Sequence, residues 1–213
     1  TSMGDGVYKS MDAGKTWSHL GLDKTRHISD VVINPTNPNI IYITAQGAQY
    51  APSKERGIYK TTDGGKTWKN ILSVNNTTGA SSLSMDITNP RILYASMWQH
   101  QRYPWVMESG GENSGLFKSI DAGTTWTKMK LGLPKDFGKS GISVSRANPD
   151  RVFAVIEAAG KKGGVYRSDN VVPKCNILER VKTTTSENVK KHTIQISLLI
   201  NVLLYVIISH SHF

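Results

Sequence analysis

The sequence of 213 residues contains a single cysteine, Cys175. One thiol excludes an intramolecular disulfide framework and a zinc site built from several cysteines, so stability must come from packing. The chain also lacks an H-E-x-x-H pattern and a G-x-S-x-G elbow, which argues against the metalloprotease and serine-hydrolase classes. Before residue 170 no segment has a convincing helical periodicity, which argues against a helical fold. We expect no metal and no cofactor.

Long apolar runs and concentrated charge are also missing. The first residues, "TSMGDG", lack the layout of a signal peptide, so we expect that an export signal either lies upstream or does not exist. Residues 194–208 form the longest apolar stretch and fall short of the roughly 20 residues that a membrane-spanning helix needs. A net charge of +10 is spread along the chain without a basic run. We therefore expect neither a membrane nor a nucleic-acid partner.

What the chain does contain is a repeat. The phrase "GVYKSMDAGKTW" begins at Gly6, returns as "GIYKTTDGGKTW" from Gly57 and again as "GLFKSIDAGTTW" from Gly115, and is cut short as "GGVYRSDN" before residue 171. A second phrase accompanies it, as "INPTNPNIIYITA", "MDITNPRILYASM" and "VSRANPDRVFAVI". Two signals that share a period of about fifty residues indicate a repeated supersecondary unit.

Each unit is predicted to hold four short strands, because short β-branched and aromatic runs alternate with turn residues. In the second full unit these strands are expected at residues 81–86, 92–97, 115–119 and 124–129, with the Asn-Pro pairs in the first turn. The fold class is therefore all-β, a β-propeller fragment of about three four-stranded antiparallel blades with Asp-box hairpins. The blades are expected at 1–20 (partial), 28–72, 81–130 and 141–168 (partial), within a domain of residues 1–170. Residues 171–213 are predicted to be an atypical tail, for which a tail anchor, a disordered segment and a non-native continuation all stay open.

The phrase S/T-x-D-x-G-x-T-W resembles the Asp-box, or BNR repeat, of a propeller family that includes sialidases, two-propeller xyloglucan-hydrolysing enzymes and the sortilin/Vps10 receptor domain. The chain is most similar to sortilin-like, BNR-repeat glycosyl-hydrolase-type proteins, through "ASMWQHQRYPWVMESGGENSGLFKSIDAGTTW". The resemblance implies a secreted, extracellular or periplasmic protein. It also implies that the boxes lie away from the usual ligand face.

The box residues are expected to stabilise hairpins and not to catalyse a reaction. The aspartate accepts hydrogen bonds from its own turn, the glycine permits a positive φ, and the tryptophan packs into the sheet. In the middle copy, Thr61 stands where the other copies have serine. The box residues are Ser10, Asp12, Gly14, Thr16 and Trp17 in the first copy, Asp63, Gly65, Thr67 and Trp68 in the second, and Ser119, Asp121, Gly123, Thr125 and Trp126 in the third.

The longest interruption of the repeat, residues 98–115, is predicted to be an insertion loop that carries the ligand face. Aromatic platforms with a few polar groups suit sugar rings or peptide side chains. An alternative is that Trp98 and Trp105 pack the loop against a neighbouring blade while Arg102 pairs with Glu108. A shorter insertion, residues 45–57, would line the same rim with Tyr50, Lys54 and Arg56. The candidates on the longer loop are Trp98, His100, Arg102, Tyr103, Trp105 and Glu108.

Two functions follow from the sequence and stay open. The first is an extracellular propeller that binds or hydrolyses glycans, and the second is a non-catalytic scaffold that binds a peptide or protein. Hydrolysis requires a pair of carboxyl groups, so enzymatic activity depends on whether the full-length propeller supplies one. The remaining blades of that protein are expected partners. The candidates for such a pair outside the boxes are Asp30, Glu55, Asp86, Glu108, Glu112 and Glu157. The pairs Asn75-Thr77 and Asn76-Thr78 match the glycosylation pattern.

Overall fold

The computed structural model describes residues 3–169 and the strand Glu179–Arg180. These residues are almost entirely antiparallel β-structure, as the fold class predicts, with one short 3-10 turn at Asp23–Thr25. Within the described part of the chain, no helix is long and apolar enough to cross a bilayer. Cys175, residues 194–208 and the rest of the predicted tail lie outside the described residues.

The described strands, in chain order, are numbered β1 to β15. They are β1 Tyr8–Lys9, β2 Ser18–His19, β3 Ile28–Ile33, β4 Ile41–Ala45, β5 Gly57–Thr61, β6 Lys69–Leu72, β7 Thr78–Met85, β8 Leu93–Arg102, β9 Met107–Ser109, β10 Gly115–Ser119, β11 Thr127–Met129, β12 Ser140–Val144, β13 Val152–Ile156, β14 Gly164–Ser168 and β15 Glu179–Arg180.

Consecutive strands form four meandering sheets, each of which is one blade. Blade 1 pairs β1 with β2, blade 2 has the order β3-β4-β5-β6, and blade 4 has the order β12-β13-β14-β15. Blade 3 has the order β7-β8-β10-β11, and β9 pairs with the extended end of β8. Three of the four sheets are therefore four-stranded antiparallel blades, the architecture that the repeats predict.

The strands of blade 4 show why these segments adopt β-structure. In β13, Val152, Ala154 and Ile156 are buried while the residues between them are partly exposed. This period of two places alternate side chains on opposite faces of the sheet. Branched side chains fit the pleated surface well. The alternating apolar pattern of the repeat therefore favours β-strands.

The turn after the first strand of a blade is closed by a side chain. In blade 2, Asn34 Oδ1 accepts a hydrogen bond from the Thr36 amide at 2.9 Å. In blade 3, Asp86 Oδ1 accepts the equivalent bond from the Thr88 amide at 2.8 Å. Asx turns of this kind satisfy backbone donors that the turn would otherwise leave unpaired.

The apolar core lies between the blades and is divided into separate clusters. One cluster joins blades 1 and 2 around Ile43, the next joins blades 2 and 3 around Leu93, and the third joins blades 3 and 4 around Ile156. Each blade is thus buried by its neighbours, as in other repeat architectures.

Polar side chains of the inner strands also cross from blade to blade. Asp30 Oδ2 on β3 accepts a hydrogen bond from the Leu83 amide on β7 at 3.0 Å. Ser84 Oγ on β7 accepts one from the Val144 amide on β12 at 3.0 Å. These bonds satisfy amides on the inner strands and fix the offset between neighbouring sheets.

Blade 4, which the sequence predicts to be partial, has four strands in the structure. Its fourth strand is β15, which pairs with β14 in the register Tyr166↔Arg180 and Arg167↔Glu179. The unpaired backbone groups along the outer edge of β14 provide a template for such a strand. The repeat signal ends at Asp169, so the sequence pattern contained no cue for this pairing.

Candidate ligand-binding face

Different connections between strands lie at the two edges of each blade. The first and third strands of a blade run in the same direction, so the Asn-Pro turns and the Asp-boxes meet at one edge, here called the lower edge. Hydrogen bonds confirm this proximity: the Gly64 amide donates to Asn39 O at 3.0 Å, and the Ala122 amide donates to Arg91 O at 2.8 Å. The other connections form the opposite, upper edge.

The Asp-boxes of the lower edge are closed by their own side chains. Asp63 Oδ1 accepts hydrogen bonds from the Thr67 amide at 2.9 Å and from Thr61 Oγ1 at 2.6 Å, while Oδ2 accepts Thr67 Oγ1 at 2.6 Å. These bonds hold the pKa of Asp63 well below its usual value. Gly65 has a φ of +99°, which glycine adopts without strain. Both oxygens of the Asp63 carboxylate therefore accept hydrogen bonds from the turn itself.

The other two boxes repeat this geometry. Asp12 bonds Thr16 and Asp121 bonds Thr125 through the same pairs of atoms, and the hydroxyls of those threonines lower both aspartate pKa values to about 2. Each box also contains a serine or threonine hydroxyl that donates to the aspartate, from Ser10, Thr61 and Ser119.

The box tryptophans differ in how far they pack. Trp68 donates from Nε1 to Leu20 O at 2.9 Å and contacts the apolar cluster between blades 1 and 2. Trp126 packs against the cluster between blades 2 and 3. Trp17 is 62% exposed, so the expectation that each ring packs into a sheet is wrong for the first box. Its indole donates only to Gly14 O of its own turn, at 3.2 Å.

Residues 98–109 of the predicted insertion loop form a β-hairpin, which corrects the sequence prediction. Strand β8 continues to Arg102, turns, and returns as β9 in the register His100↔Ser109, Gln101↔Glu108 and Arg102↔Met107. Pro104 and Trp105 form the turn, across which the Tyr103 amide donates to Val106 O at 2.8 Å. Tryptophan, tyrosine and valine favour extended structure, and proline suits the first central position of a turn.

Two of the six ligand-face candidates, Trp98 and His100, are buried within the protein. Trp98 is 4% exposed and His100 is 2% exposed. Their rings stack with centroids 4.0 Å apart and an interplanar angle of 16°, and Trp98 Nε1 donates to Ser109 Oγ at 3.0 Å. These two side chains hold the hairpin in place. For Trp98 this agrees with the alternative that its ring packs the insertion against the fold.

The other four candidates lie on the outer part of the hairpin. Trp105 is 81% exposed, and its ring stacks on Tyr103 with centroids 5.9 Å apart. Arg102 and Glu108 are both exposed. They do not face each other, because Arg102 lies opposite Met107 while Glu108 lies opposite Gln101, on the other face of the hairpin. The Arg102–Glu108 ion pair of the packing alternative is therefore not formed.

Arg56, which the sequence places on the rim, is fully buried. Its guanidinium donates from Nη1 to Thr77 O at 2.8 Å and from Nη2 to Ala48 O at 2.6 Å. Nη1 also lies 3.1 Å from His100 Nδ1. We call Arg56 and His100 the clamp, because together they join three upper-edge connections. Ion pairs between described side chains involve Asp23 and Asp169 and not Arg56.

Burial shifts the ionisation of both clamp residues. Desolvation lowers the pKa of Arg56 to about 10, which leaves the guanidinium charged at neutral pH. Burial, together with the charge of Arg56, lowers the pKa of His100 to about 4. His100 is therefore neutral at neutral pH, and its neighbour's positive charge is balanced by carbonyl oxygens.

A second connection ties the hairpin to blade 4. Ser109 Oγ donates to Glu157 Oε2 at 2.8 Å, and the same oxygen accepts the Lys139 amide at 2.9 Å. Lys139 Nζ lies 5.4 Å from the centroid of the Trp98 ring, within the range of a cation–π contact. The hairpin of blade 3 is thus fastened to blade 2 by the clamp and to blade 4 by Glu157.

The carboxylates that the sequence proposed for catalysis have separate structural partners. Asp30 bonds the Leu83 amide between inner strands, and burial raises its pKa. Asp86 is buried in the lower-edge turn that it caps. Asp30 and Asp86 thus stabilise different parts of their blades.

The remaining candidate carboxylates are those of Glu55, Glu108, Glu112 and Glu157, and they lie near the upper edge. Ser53 Oγ donates to Glu55 Oε2 at 2.9 Å and lowers the pKa of Glu55. Glu108 and Glu112 are exposed, and Glu157 holds Ser109.

The chain matches known proteins along most of its length. The family model described as "Sortilin, neurotensin receptor 3" matches residues 5–197. The chain belongs to the Sortilin-Vps10 family. The matched range extends beyond the last Asp-box phrase. A comparison with curated sequences gives no match.

Solved structures confirm the fold of this Sortilin-Vps10 chain. An ancestral GH74 enzyme superposes with a TM-score of 0.61 at 17% identity, covering 85% of this chain and 22% of the enzyme. The GH74 xyloglucanase from Xanthomonas campestris superposes with a TM-score of 0.58 at 19% identity, covering 78% of this chain and 26% of the enzyme. The chain thus spans about a quarter of each of these enzymes. At this identity the likeness establishes the propeller fold.

Sequence reasoning missed three residues of this Sortilin-Vps10 upper edge. Ser109, Lys139 and Glu157 complete the attachment of the hairpin, although Glu157 was considered only as a catalytic carboxylate. The Ser109–Glu157 contact joins residues 48 positions apart and the Lys139–Trp98 contact joins residues 41 positions apart, and no spacing pattern signals such pairs. The predicted meeting of the two insertions is real, since the Arg102 amide donates to Gln49 O at 2.8 Å.

Proposed function

We propose that the upper edge of this Sortilin-Vps10 propeller binds an extracellular glycan, with the β8–β9 hairpin as the recognition element. The observation that carries the proposal is the stacked Tyr103–Trp105 pair at the hairpin tip, where Trp105 is 81% exposed. Trp105 continues into the exposed Val106 and Met107, and a contiguous exposed apolar patch marks an interaction site.

Polar groups flank the aromatic pair on both faces of the hairpin. Arg102 lies on one face and Glu108 on the other. The Arg102–Gln49 backbone bond brings Tyr50, which is 58% exposed, to the same side of the molecule. A sugar ring requires an apolar stacking surface with hydrogen-bonding groups around it, and this edge supplies both.

The hairpin is held in place by buried contacts. The clamp and the Glu157 carboxylate attach it to two neighbouring blades. A recognition element that is ordered before binding loses less conformational entropy when its ligand arrives. The buried candidates Trp98 and His100 therefore contribute by positioning Trp105.

The described residues favour binding over hydrolysis. Glycoside hydrolysis requires two carboxyl groups across one bond, whereas Asp30, Asp86 and Glu157 each hold another part of the fold. The GH74 enzymes that share the fold make a glycan the first ligand class to test. The xyloglucanase among them acts on a glycan according to its name.

The experiment is a glycan array probed with the full chain and with Trp105→Ala. Removing the exposed ring should weaken glycan binding roughly tenfold or more, because a buried aromatic side chain contributes about 1.5–3 kcal/mol. The matched control is Ile120→Ala, an exposed apolar residue on the lower edge. Equal binding by wild type and Trp105→Ala would contradict the assignment of the site.

A peptide is the second candidate, and one observation favours it. Strand β9 pairs with β8 on one side only, within the described sheets. An extended peptide adds to such an edge through backbone hydrogen bonds. A folded chain that binds no glycan but captures extended peptides from a peptide library would support this second function.

A further inference from the structure

The connection between β6 and β7 contains two overlapping glycosylation patterns that the proposed ligand site does not use. Asn75-Asn76-Thr77 and Asn76-Thr77-Thr78 share two residues. Each matches the Asn-x-Ser/Thr pattern of an acceptor asparagine. Two carriers of bulky oligosaccharide cannot stand side by side easily, so the structure must distinguish between them.

The two asparagines have different surroundings. Asn75 is half-buried, and its Oδ1 accepts hydrogen bonds from the amide and the hydroxyl of Thr77, both at 3.0 Å. Asn76 is exposed, and its carbonyl accepts the Ser53 amide at 2.8 Å, while no residue in the described part of the chain bonds its side chain. The side chain of Asn76 is therefore the one that can carry a large group outside the folded protein.

The hydroxyl of Thr78 supplies an independent observation. Thr78 is 0% exposed, and its Oγ1 finds no hydrogen-bond partner among the described residues. Burying an unpaired hydroxyl is unfavourable, and valine would fill the same space without that cost. In the folded protein this hydroxyl makes no hydrogen bond to a described residue, but in the sequence it stands at the third position of the Asn76 pattern.

We propose that Asn76 carries an N-linked oligosaccharide, and that Thr78 retains its hydroxyl for the modification of the unfolded chain. Asn76 Nδ2 forms a bond to the anomeric carbon of a lipid-pyrophosphate-linked oligosaccharide. The bond from that carbon to the pyrophosphate oxygen breaks, Nδ2 loses one proton, and the lipid pyrophosphate leaves. Folding then buries Thr78 and leaves the glycan at the surface. The biological setting rests on the extracellular location of the proposed function.

The glycan would stand beside the ligand face. Asn76 lies on the upper edge, where its carbonyl holds the connection that carries Tyr50. An oligosaccharide at Asn76 would stand next to the base of the hairpin, since the carbonyl of the following residue, Thr77, accepts the His100 amide at 3.0 Å.

The test is expression of the full chain behind a leader peptide in cultured eukaryotic cells. Peptide mass spectrometry after enzymatic deglycosylation identifies the modified asparagine by its conversion to aspartate. Wild type and Asn75→Asp should carry one glycan at position 76. Asn76→Asp and Thr78→Val should carry none there. Asn75→Asp keeps the oxygen that closes the turn, so it is the matched control.

Stability measurements keep the test independent of folding defects. In unglycosylated bacterial protein, Thr78→Val should unfold at the same or a higher temperature than wild type. A lower melting temperature would show that the hydroxyl has a structural role and would overturn the argument. A secreted wild type without a glycan at Asn76, or with the glycan at Asn75, would overturn it as well. Glycan-array binding is measured on unglycosylated protein, so the two proposals fail separately.

Discussion

At the residue scale, the pKa values of the box aspartates and of the clamp histidine are all lowered, but by different physical causes. The pKa values of Asp12 and Asp121 are lowered by donors within four positions in the chain. The pKa of His100 is lowered because the fold removes it from water and places it beside Arg56. The first effect is local and follows from the sequence motif. The second depends on contacts between blades.

The histidine makes stability depend on pH in a defined window. The pKa of His100 falls from 6.5 in the unfolded chain to about 4 in the folded protein, under the influence of burial, Arg56, Lys139 and His27. Above about pH 6.5 the ring is neutral in both states, so it imposes no cost. As the pH falls toward 4 the unfolded chain binds a proton that the folded protein does not. The free energy of unfolding should therefore decrease by an amount on the order of 3 kcal/mol.

Urea unfolding of wild type and His100→Gln at several pH values between 4 and 7 measures this term. The variant should show a flatter dependence on pH in that window, whatever its absolute stability. An unchanged slope would mean that His100 is not the group responsible.

At the element scale, side chains on the inner strands fix one blade against the next. Asp30→Ala removes the acceptor of the Leu83 amide. Leaving this amide without its partner should lower the free energy of unfolding by about 1–3 kcal/mol. Chemical denaturation measures the loss. Asp30→Asn retains an acceptor oxygen and should lose less, and an equal loss in both variants would assign the effect to the charge.

The hairpin is the element in which sequence and structure differ most. A pattern that departs from the repeat, from Trp98 onward, predicts a loop. The structure instead extends β8 by several residues and adds β9. The polar residues between Trp98 and Tyr103 obscure the strand pattern. Contacts of Arg56 with His100 and of Asn113 with Gln99 satisfy groups that a free loop would leave to water.

At the scale of the whole molecule, the division of the core between blades predicts additive mutations. Leu93 lies between blades 2 and 3 and Ile156 between blades 3 and 4, and both are buried. Leu93→Ala and Ile156→Ala should each cost about 2–5 kcal/mol by loss of packing. Because the two clusters share no residue, the double variant should equal the sum within about 0.5 kcal/mol.

Thermal and urea unfolding of the four proteins in this cycle provide the measurement. Trp105→Ala, which removes an exposed ring, serves as a surface control with little expected effect on stability. A coupling energy well above that margin would show that the blades do not pack as independent pairs.

The sequence by itself determined the blades, their strand order and the Asp-box turns, because these depend on period, turn residues and donors close in the chain. Lys139, Glu157 and the other residues that join blades carry no such local signal. Only the tertiary structure decided that Trp98, His100 and Arg56 are buried while Trp105 is exposed. The burial of these side chains depends on which connections meet between neighbouring blades. Those contacts determine which side chains reach solvent, which ionisable groups are charged and which residues form the ligand face.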